Sequence, residues 1–206
     1  MANPIDLPVV IINGLGAPRA LAVAYGSIFR ARGMKVFVAP QIWLGYGDIR
    51  EAARLVAEEV ARVKSETGAD KVRLVGMSLG GLIGLYYLKC AGGAPDVERF
   101  ISVGGPLNGS TVARLAAWIP SEFINSLTQT SPESALMKAV QAAPVPAGVR
   151  LFSVGTRGDL LTPRSSWDAD GCEPVQTRYG LFPVGHWMLF LHPGNHRVVA
   201  ELLDKN

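Results

Sequence analysis

The amino-acid sequence predicts an α/β fold with a mostly parallel sheet of about six strands and helices on both faces. Two observations favour this fold. Short apolar runs alternate along the chain with longer helical stretches, and the first run is apolar without interruption, as in a strand buried on both faces. The length of 206 residues, with 49% hydrophobic and 18% charged residues, predicts a single domain over residues 1–206.

The first half of the chain alternates strands with helices. The first strand ends at the turn Asn13-Gly14-Leu15-Gly16, and the second ends at Pro40. Asp48 can cap the second helix, whose apolar positions keep helical spacing, and Gly68 can end it. The predicted elements are a strand at Pro8–Ile12, a helix at Arg19–Arg32, a strand at Lys35–Ala39, a helix at Asp48–Thr67, a strand at Lys71–Val75 and a helix at Leu79–Cys90.

The second half continues this alternation after an interruption. Residues 106–148 carry no strand signal, and they are too few for an independent core. We therefore expect them to form a small helical cap insertion within the single domain. The predicted elements are strands at Val97–Val103, Val149–Val154 and Val175–Leu181, and helices at Ser134–Ala143 and Asn195–Asp204.

Composition excludes several classes of function. The net charge is +3 and no block of five like charges occurs, so the chain has no nucleic-acid footprint. No window offers the roughly 18 apolar residues of an integral membrane segment. The N-terminus has no signal-peptide pattern, which predicts a cytoplasmic protein or a secreted one whose signal peptide has been removed. Cys90 and Cys172 could pair, although two free buried thiols are the simpler interpretation.

A nucleophile motif lies between the third strand and the third helix. Gly76-Met77-Ser78-Leu79-Gly80 fits the pattern G-x-S-x-G, and a strand-to-helix turn is the setting that a nucleophile elbow requires. The turn is strained, so its neighbours must be small, and it places Ser78 at a helix N-terminus where negative charge is favoured. The alternative is a phosphate-binding turn, but no lysine follows the glycines.

A serine hydroxyl needs a neighbouring base, and the chain has three histidines. His186 follows the last strand signal, where a loop can reach the carboxyl edge of the sheet, and we expect it to be the base. His196 lies on the terminal helix and is expected to be a surface or packing residue. His192 precedes a proline and could line the site or cap a helix.

The base in turn needs a carboxylate that fixes its tautomer. Asp159 follows the strand Val149–Val154, and the order Ser78, Asp159, His186 matches that of hydrolases with the G-x-S-x-G elbow. Asp168 and Asp170 are rivals in a polar loop where turn formation explains them adequately.

Two backbone N–H groups would be needed to hold a developing oxyanion. One is expected from Leu79, the residue after the nucleophile, and the other from the turn after the first strand, with Leu15 as the expected donor. The alternative for this turn is a dinucleotide loop, but the G-x-G-x-x-G pattern is incomplete because residue 19 is arginine.

Together these residues resemble the α/β-hydrolase superfamily, and within it the small bacterial triacylglycerol lipases and esterases. The resemblance extends from Pro8 to Leu203. It implies a minimal α/β-hydrolase fold, a Ser-His-Asp triad with an acyl-enzyme intermediate, and no cofactor or metal. The segments that carry it are Thr67–Gly81, Val103–Ser110, Ser131–Leu136 and the pair Gly185-His186 with the apolar run behind it.

Two residues depart from the pattern of that family. Asn13 and Met77 stand where the family usually has histidine, but neither position is catalytic in the family's mechanism. The departures leave the expected reaction intact and bear on substrate preference.

The expected function is therefore hydrolysis of a small-molecule ester or lipid. Thioester hydrolysis and acyl transfer are alternatives with the same triad. Two readings from a different class are a ligand-binding relative without turnover and a membrane-surface lipid-binding module, the second of which rests only on the apolar stretch Trp118–Leu127. The sequence leaves the oligomeric state open.

The cap insertion is expected to wall an acyl pocket. Apolar side chains recur there at helical spacing, close to the carboxyl edge where α/β sheets form their active sites. So small an insertion predicts an open, shallow pocket that prefers short to medium acyl chains. The alternative is that these side chains only seal the insertion onto the body. They are Trp118, Ile119, Phe123, Ile124 and Leu127.

Overall fold

Six parallel strands form one sheet in the computed structural model, which describes residues 7–42, 45–110 and 125–205. All five pairings between neighbouring strands are parallel. The strands are β1 (Val9–Ile12), β2 (Val36–Val38), β3 (Val72–Met77), β4 (Val97–Val103), β5 (Arg150–Thr156) and β6 (Glu173–Thr177). Their spatial order is β2-β1-β3-β4-β5-β6, so the direction of strand addition reverses between β1 and β3.

Helices cover both faces of the sheet, as the sequence predicted. On one face, α2, α3 and α5 pack on Val10, Ile12 and Leu74. On the other, α1, α7 and α8 pack on Val9 and Ile11. The helices are α1 (Arg19–Arg30), α2 (Ile49–Thr67), α3 (Leu79–Cys90), α4 (Asn125–Gln129), α5 (Ala135–Ala142), α6 (Arg164–Trp167), α7 (Gly185–Leu191) and α8 (Pro193–Asp204).

The sixth strand differs from the sequence prediction of Val175–Leu181. It spans Glu173–Thr177, an edge strand of which only Thr177 is buried. The apolar side chains that suggested a longer strand belong to the loop beyond it, where Leu181 is 65% exposed. Helices α6 and α7 were not predicted, because four and seven residues are too few for a clear helical period.

The described part of residues 106–148 contains α4 and α5 and no strand. The side chain of Gln129 in α4 ties this segment to the start of α2, because its Oε1 accepts the N–H of Ile49 (2.8 Å) and its Nε2 donates to Asp48 (2.9 Å). Both cysteines are free, and the expectation that both are buried is wrong for Cys90, which is exposed. None of the helices in the described ranges combines the length and apolar character that crossing a membrane requires.

Candidate active site

Ser78 occupies a strained turn between β3 and α3. Its φ of 50° makes it the one non-glycine residue with positive φ in the described ranges. The turn is close-packed: a Cβ on Gly76 would lie 2.5 Å from the carbonyl oxygen of Gly80, and a Cβ on Gly80 would lie 2.2 Å from that of Ile12. Strain of this kind persists only where the surroundings over-determine it, and it gathers at functional sites.

The structure brings Ser78, His186 and Asp159 into one hydrogen-bonded chain. His186 Nε2 lies 2.9 Å from Ser78 Oγ, and His186 Nδ1 lies 2.8 Å from Asp159 Oδ2. His186 is in the first turn of α7, not in a loop as the sequence suggested. An isolated β-bridge between Asp159 and Val184 holds the two segments together.

Four donors surround the carboxylate of Asp159. Its Oδ1 accepts the N–H groups of Leu161 and Thr162, both at 2.9 Å, while its Oδ2 accepts the Thr162 hydroxyl (2.7 Å) and His186. Burial raises the pKa of Asp159, but the hydrogen bond and charge of His186 and the donors of Thr162 outweigh burial and leave the pKa below its usual value. An ionised Asp159 holds the proton of His186 on Nδ1, so Nε2 is free to accept the Ser78 hydroxyl proton.

Sequence reasoning missed Thr162. Its hydroxyl also lies 3.2 Å from His186 Nδ1, so it contacts both partners of the Asp–His pair. The signal in the sequence was a threonine three residues after the acid, at a spacing where side chain and backbone can meet in a turn.

The rival residues have other partners. Asp168 pairs with Arg164 at 3.0 Å on the surface, and Asp170 is exposed. His192 caps α8, because its Nδ1 accepts the N–H of Gly194 at 3.0 Å. His196 packs against the first helix, with Nε2 2.7 Å from the carbonyl oxygen of Phe190.

The two candidate oxyanion donors belong to segments that adjoin Ser78. Strands β1 and β3 are neighbours, so the turn at residues 13–16 leaves the sheet beside the elbow. A Cβ on Gly14 would lie 3.0 Å from Ser78 Cβ. Leu79 is the first residue of α3, so its N–H has no partner four residues earlier within that helix. Leu15 and Leu79 both line the cavity that Ser78 faces.

That cavity has a volume of about 250 Å³, and its lining is mostly apolar. Of the five residues that the sequence analysis assigned to the acyl pocket, Leu127 lines this cavity. Trp118, Ile119, Phe123 and Ile124 lie outside the described residues. Sequence reasoning missed other lining residues, among which Trp187 is 53% exposed and Leu161 is 41% exposed. The missed lining residues include the apolar side chains of Leu21, Leu161, Trp187 and Phe190.

No family model matches the sequence. The fold is similar to that of the mature form of Bacillus licheniformis lipase BlEst2, with a TM-score of 0.80 and 16% identity over 98% of this chain and 94% of that one. Aspergillus fumigatus lipase B has a TM-score of 0.77 and 15% sequence identity over 97% of this chain and 53% of the lipase, so this chain spans about half of the lipase's length. MGS-MChE2, an α/β-hydrolase from a lagoon-sediment metagenome, has a TM-score of 0.65 and 19% sequence identity over 97% of this chain and 91% of that one. These likenesses confirm the minimal α/β-hydrolase fold.

Proposed function

We propose that this protein is a serine ester hydrolase, a carboxylesterase or lipase, that acts on esters of short to medium acyl chains. One observation carries the proposal: Ser78, His186 and Asp159 form an unbroken hydrogen-bonded chain at 2.9 and 2.8 Å, and it opens on an apolar cavity. A nucleophile, a base and an orienting carboxylate in this geometry are what acyl transfer requires.

The mechanism follows from the position of each group. Ser78 Oγ attacks the ester carbonyl while His186 Nε2 takes its proton, and the N–H groups of Leu15 and Leu79 stabilise the oxyanion. His186 then protonates the leaving alcohol as the acyl-enzyme forms. Water, deprotonated by His186, attacks the acyl-enzyme. The bond from the acyl carbon to Ser78 Oγ then breaks, and His186 returns the proton to Oγ as the acid leaves. Asp159 stays ionised throughout and stabilises the imidazolium.

The size and openness of the cavity support the chain-length preference. Its volume of about 250 Å³ is below the roughly 300–1,000 Å³ of pockets that enclose drug-sized ligands. The partly exposed Leu161 and Trp187 stand on its wall. A short acyl chain is therefore expected to fill the cavity, and the end of a long chain would lie in solvent.

A fluorophosphonate probe and a series of p-nitrophenyl esters from acetate to palmitate test this proposal. The wild-type protein is expected to be labelled and to cleave butyrate faster than palmitate. Ser78→Ala should lose labelling and several orders of magnitude in kcat while remaining folded, because triad residues act as a unit. Ser27→Ala, on the exposed side of α1, is the matched control and should behave as wild type.

Three outcomes would contradict the proposal. Absence of labelling in the wild type would indicate a binding protein without turnover. Full activity in Ser78→Ala would remove the nucleophile assignment. Faster cleavage of acyl thioesters than of the matched oxygen esters would replace esterase by thioesterase.

A further inference from the structure

Side-chain hydrogen bonds fix the turn that follows β1. Asn13 Nδ2 donates to the carbonyl oxygen of Ala17 (2.9 Å), and Asn13 Oδ1 accepts the N–H of Gly14 (3.0 Å). Gln41, from the segment after β2, donates through Nε2 to the carbonyl oxygen of Gly14 (2.6 Å). Both backbone polar groups of Gly14 are therefore engaged, and its N–H is not free to serve an oxyanion.

The bond from Gln41 also sets the direction of the next N–H group. In a planar trans peptide, the carbonyl of one residue and the N–H of the next point in opposite directions. The carbonyl oxygen of Gly14 faces Gln41 and Gly45, whereas the side-chain position of Gly14 faces Ser78. The N–H of Leu15 therefore points away from Gln41, and Leu15 itself lines the cavity that Ser78 faces.

We infer that Gln41 is a positioning residue for the oxyanion hole, and this inference rests on the proposed ester hydrolysis. Gln41 does not line the cavity in the described structure, so it acts through the Gly14–Leu15 peptide and does not touch substrate. Rotating that peptide would turn the Leu15 N–H away from the cavity, and it would break the Gln41 bond. The side chain therefore stabilises the orientation that catalysis needs before substrate arrives.

The surroundings of Gln41 hold it in this geometry. Asn13 Nδ2 lies 3.3 Å from Gln41 Oε1, which orients the amide so that its NH₂ group faces Gly14. Residue 45 must be glycine, because its φ is +88° and a Cβ there would lie 3.1 Å from both Gln41 Nε2 and the Leu15 Cα. Helix α4 supports this segment in turn, since Ser126 Oγ donates to the carbonyl oxygen of Gly45 (2.5 Å).

Two substitutions separate positioning from a merely structural role. Gln41→Met keeps the length of the side chain and removes the donor, and Gln41→Glu places an acceptor against the Gly14 carbonyl. We expect kcat to fall about 10-fold to 100-fold in Gln41→Met and further in Gln41→Glu, with KM within about twofold of wild type, because removing one oxyanion donor outright costs about 10²–10³.

The diagnostic readout is the inhibition constant of an alkyl boronic acid. Its boron bonds to Ser78 Oγ, whose proton passes to His186, and the tetrahedral adduct places an oxygen in the oxyanion hole. In the two Gln41 variants, the affinity for the boronate is expected to fall by the same factor as kcat. The affinity for the matched primary alcohol, which forms no adduct, is expected to stay unchanged. Ser134→Ala, which removes the cap of α5, is the control: it should lower the melting temperature and leave boronate affinity unchanged.

The results of this experiment assign failure to one idea or the other. If the wild type neither cleaves esters nor reacts with the boronate, the proposed function fails. If the wild type is active and both Gln41 variants match it in kcat and boronate affinity, only the role of Gln41 is overturned. A loss that appears equally in boronate and alcohol binding would indicate general distortion, and it would also overturn the inference. If Gln41→Met does not fold, Gln41→Glu and Gln41→Asn carry the same comparison.

Discussion

The carboxylate of Asp159 shows how much of the proposed triad depends on residues outside the triad itself. Three of its four donors come from the two residues Leu161 and Thr162. This shell keeps Asp159 ionised despite burial, because it favours the charged form more strongly than burial disfavours it. Of the three donors from Leu161 and Thr162, only the Thr162 hydroxyl belongs to a side chain, so it is the one that a substitution can remove.

Thr162→Val is expected to lower stability at neutral pH and to lose that effect in acid. Losing a hydrogen bond to a charged group costs about 1.5–3 kcal/mol. The pKa of Asp159 is lower in the folded protein than in the unfolded chain, so its contribution is complete above the ordinary pKa of about 4 and is lost as the pH falls through the folded value. The difference in unfolding free energy from wild type should therefore be full at neutral pH and narrow as the pH falls below about 4 toward the folded pKa of Asp159.

Chemical denaturation at several pH values measures this effect, with Thr162→Ser as the control that keeps the hydroxyl. A difference between Thr162→Val and wild type that narrows at no acid pH where both proteins still fold would mean that the hydroxyl does not act on the ionised carboxylate.

The identity of the acid can be tested with two matched amide substitutions. Asp159→Asn is expected to lower kcat by about 10⁴, because an amide in that place favours the wrong tautomer of His186. Asp168→Asn should leave kcat within about twofold, since Asp168 pairs only with Arg164 among the described side chains and lies on the surface. Steady-state kinetics on p-nitrophenyl butyrate distinguish the two variants. A large loss of kcat in Asp168→Asn, with little loss in Asp159→Asn, would assign the orienting carboxylate to Asp168.

Helix α8 depends on one buried arginine of the central sheet. Arg99 on β4 is 2% exposed, and it donates to the carbonyl oxygens of Leu202 and Lys205 and to that of Leu203 (3.0 Å). The last carbonyls of a helix have no partner within the helix, so this side chain satisfies them. A cation at a helix C-terminus is also favoured by the helix dipole.

Arg99→Met is expected to lower the unfolding free energy by about 3 kcal/mol, because it leaves buried carbonyl groups unpaired. Amide hydrogen exchange should rise along α8 before it rises in β3 and α3. Arg150→Met is the matched control: Arg150 reaches Lys205 by an exposed bond of 2.8 Å, and its loss should cost no more than about 1 kcal/mol. Equal destabilisation by the two variants would contradict the special role of Arg99.

The strands that the sequence predicted correctly are largely buried, and the helices that it predicted correctly bury at least one face. Strand β1 is at most 3% exposed throughout, and a continuous apolar run reports such a strand directly. Strand β6 lies at the sheet edge, and its apolar signal came from exposed residues beyond it. Helix α7, which carries the proposed base, is short, and Val184 just before it forms a β-bridge with Asp159 that no local pattern encodes.

Much of the candidate site could be predicted from the sequence because several of its residues directly follow strands. Ser78, Asp159 and the turn at residues 13–16 each follow an apolar run, and parallel strands bring their carboxyl ends to one edge. The supporting residues were not accessible in this way. Gln41 acts through a hydrogen bond to the backbone of a turn 27 residues away, and nothing in its own sequence neighbourhood marks that partner. Thr162 carries only the weak signal of its three-residue spacing from Asp159.

The order of the strands has a consequence for how the catalytic centre is acquired during folding. Leu15 and Leu79 lie far apart along the chain, and they line one cavity only once β1 has taken its place between β2 and β3. Contacts between distant segments form late, because closing the intervening loop costs entropy before the contacts can stabilise the closed chain. After dilution from denaturant, recovery of ester hydrolysis is therefore expected to lag behind the helical circular dichroism signal, to which α2 and α3 contribute through local bonds.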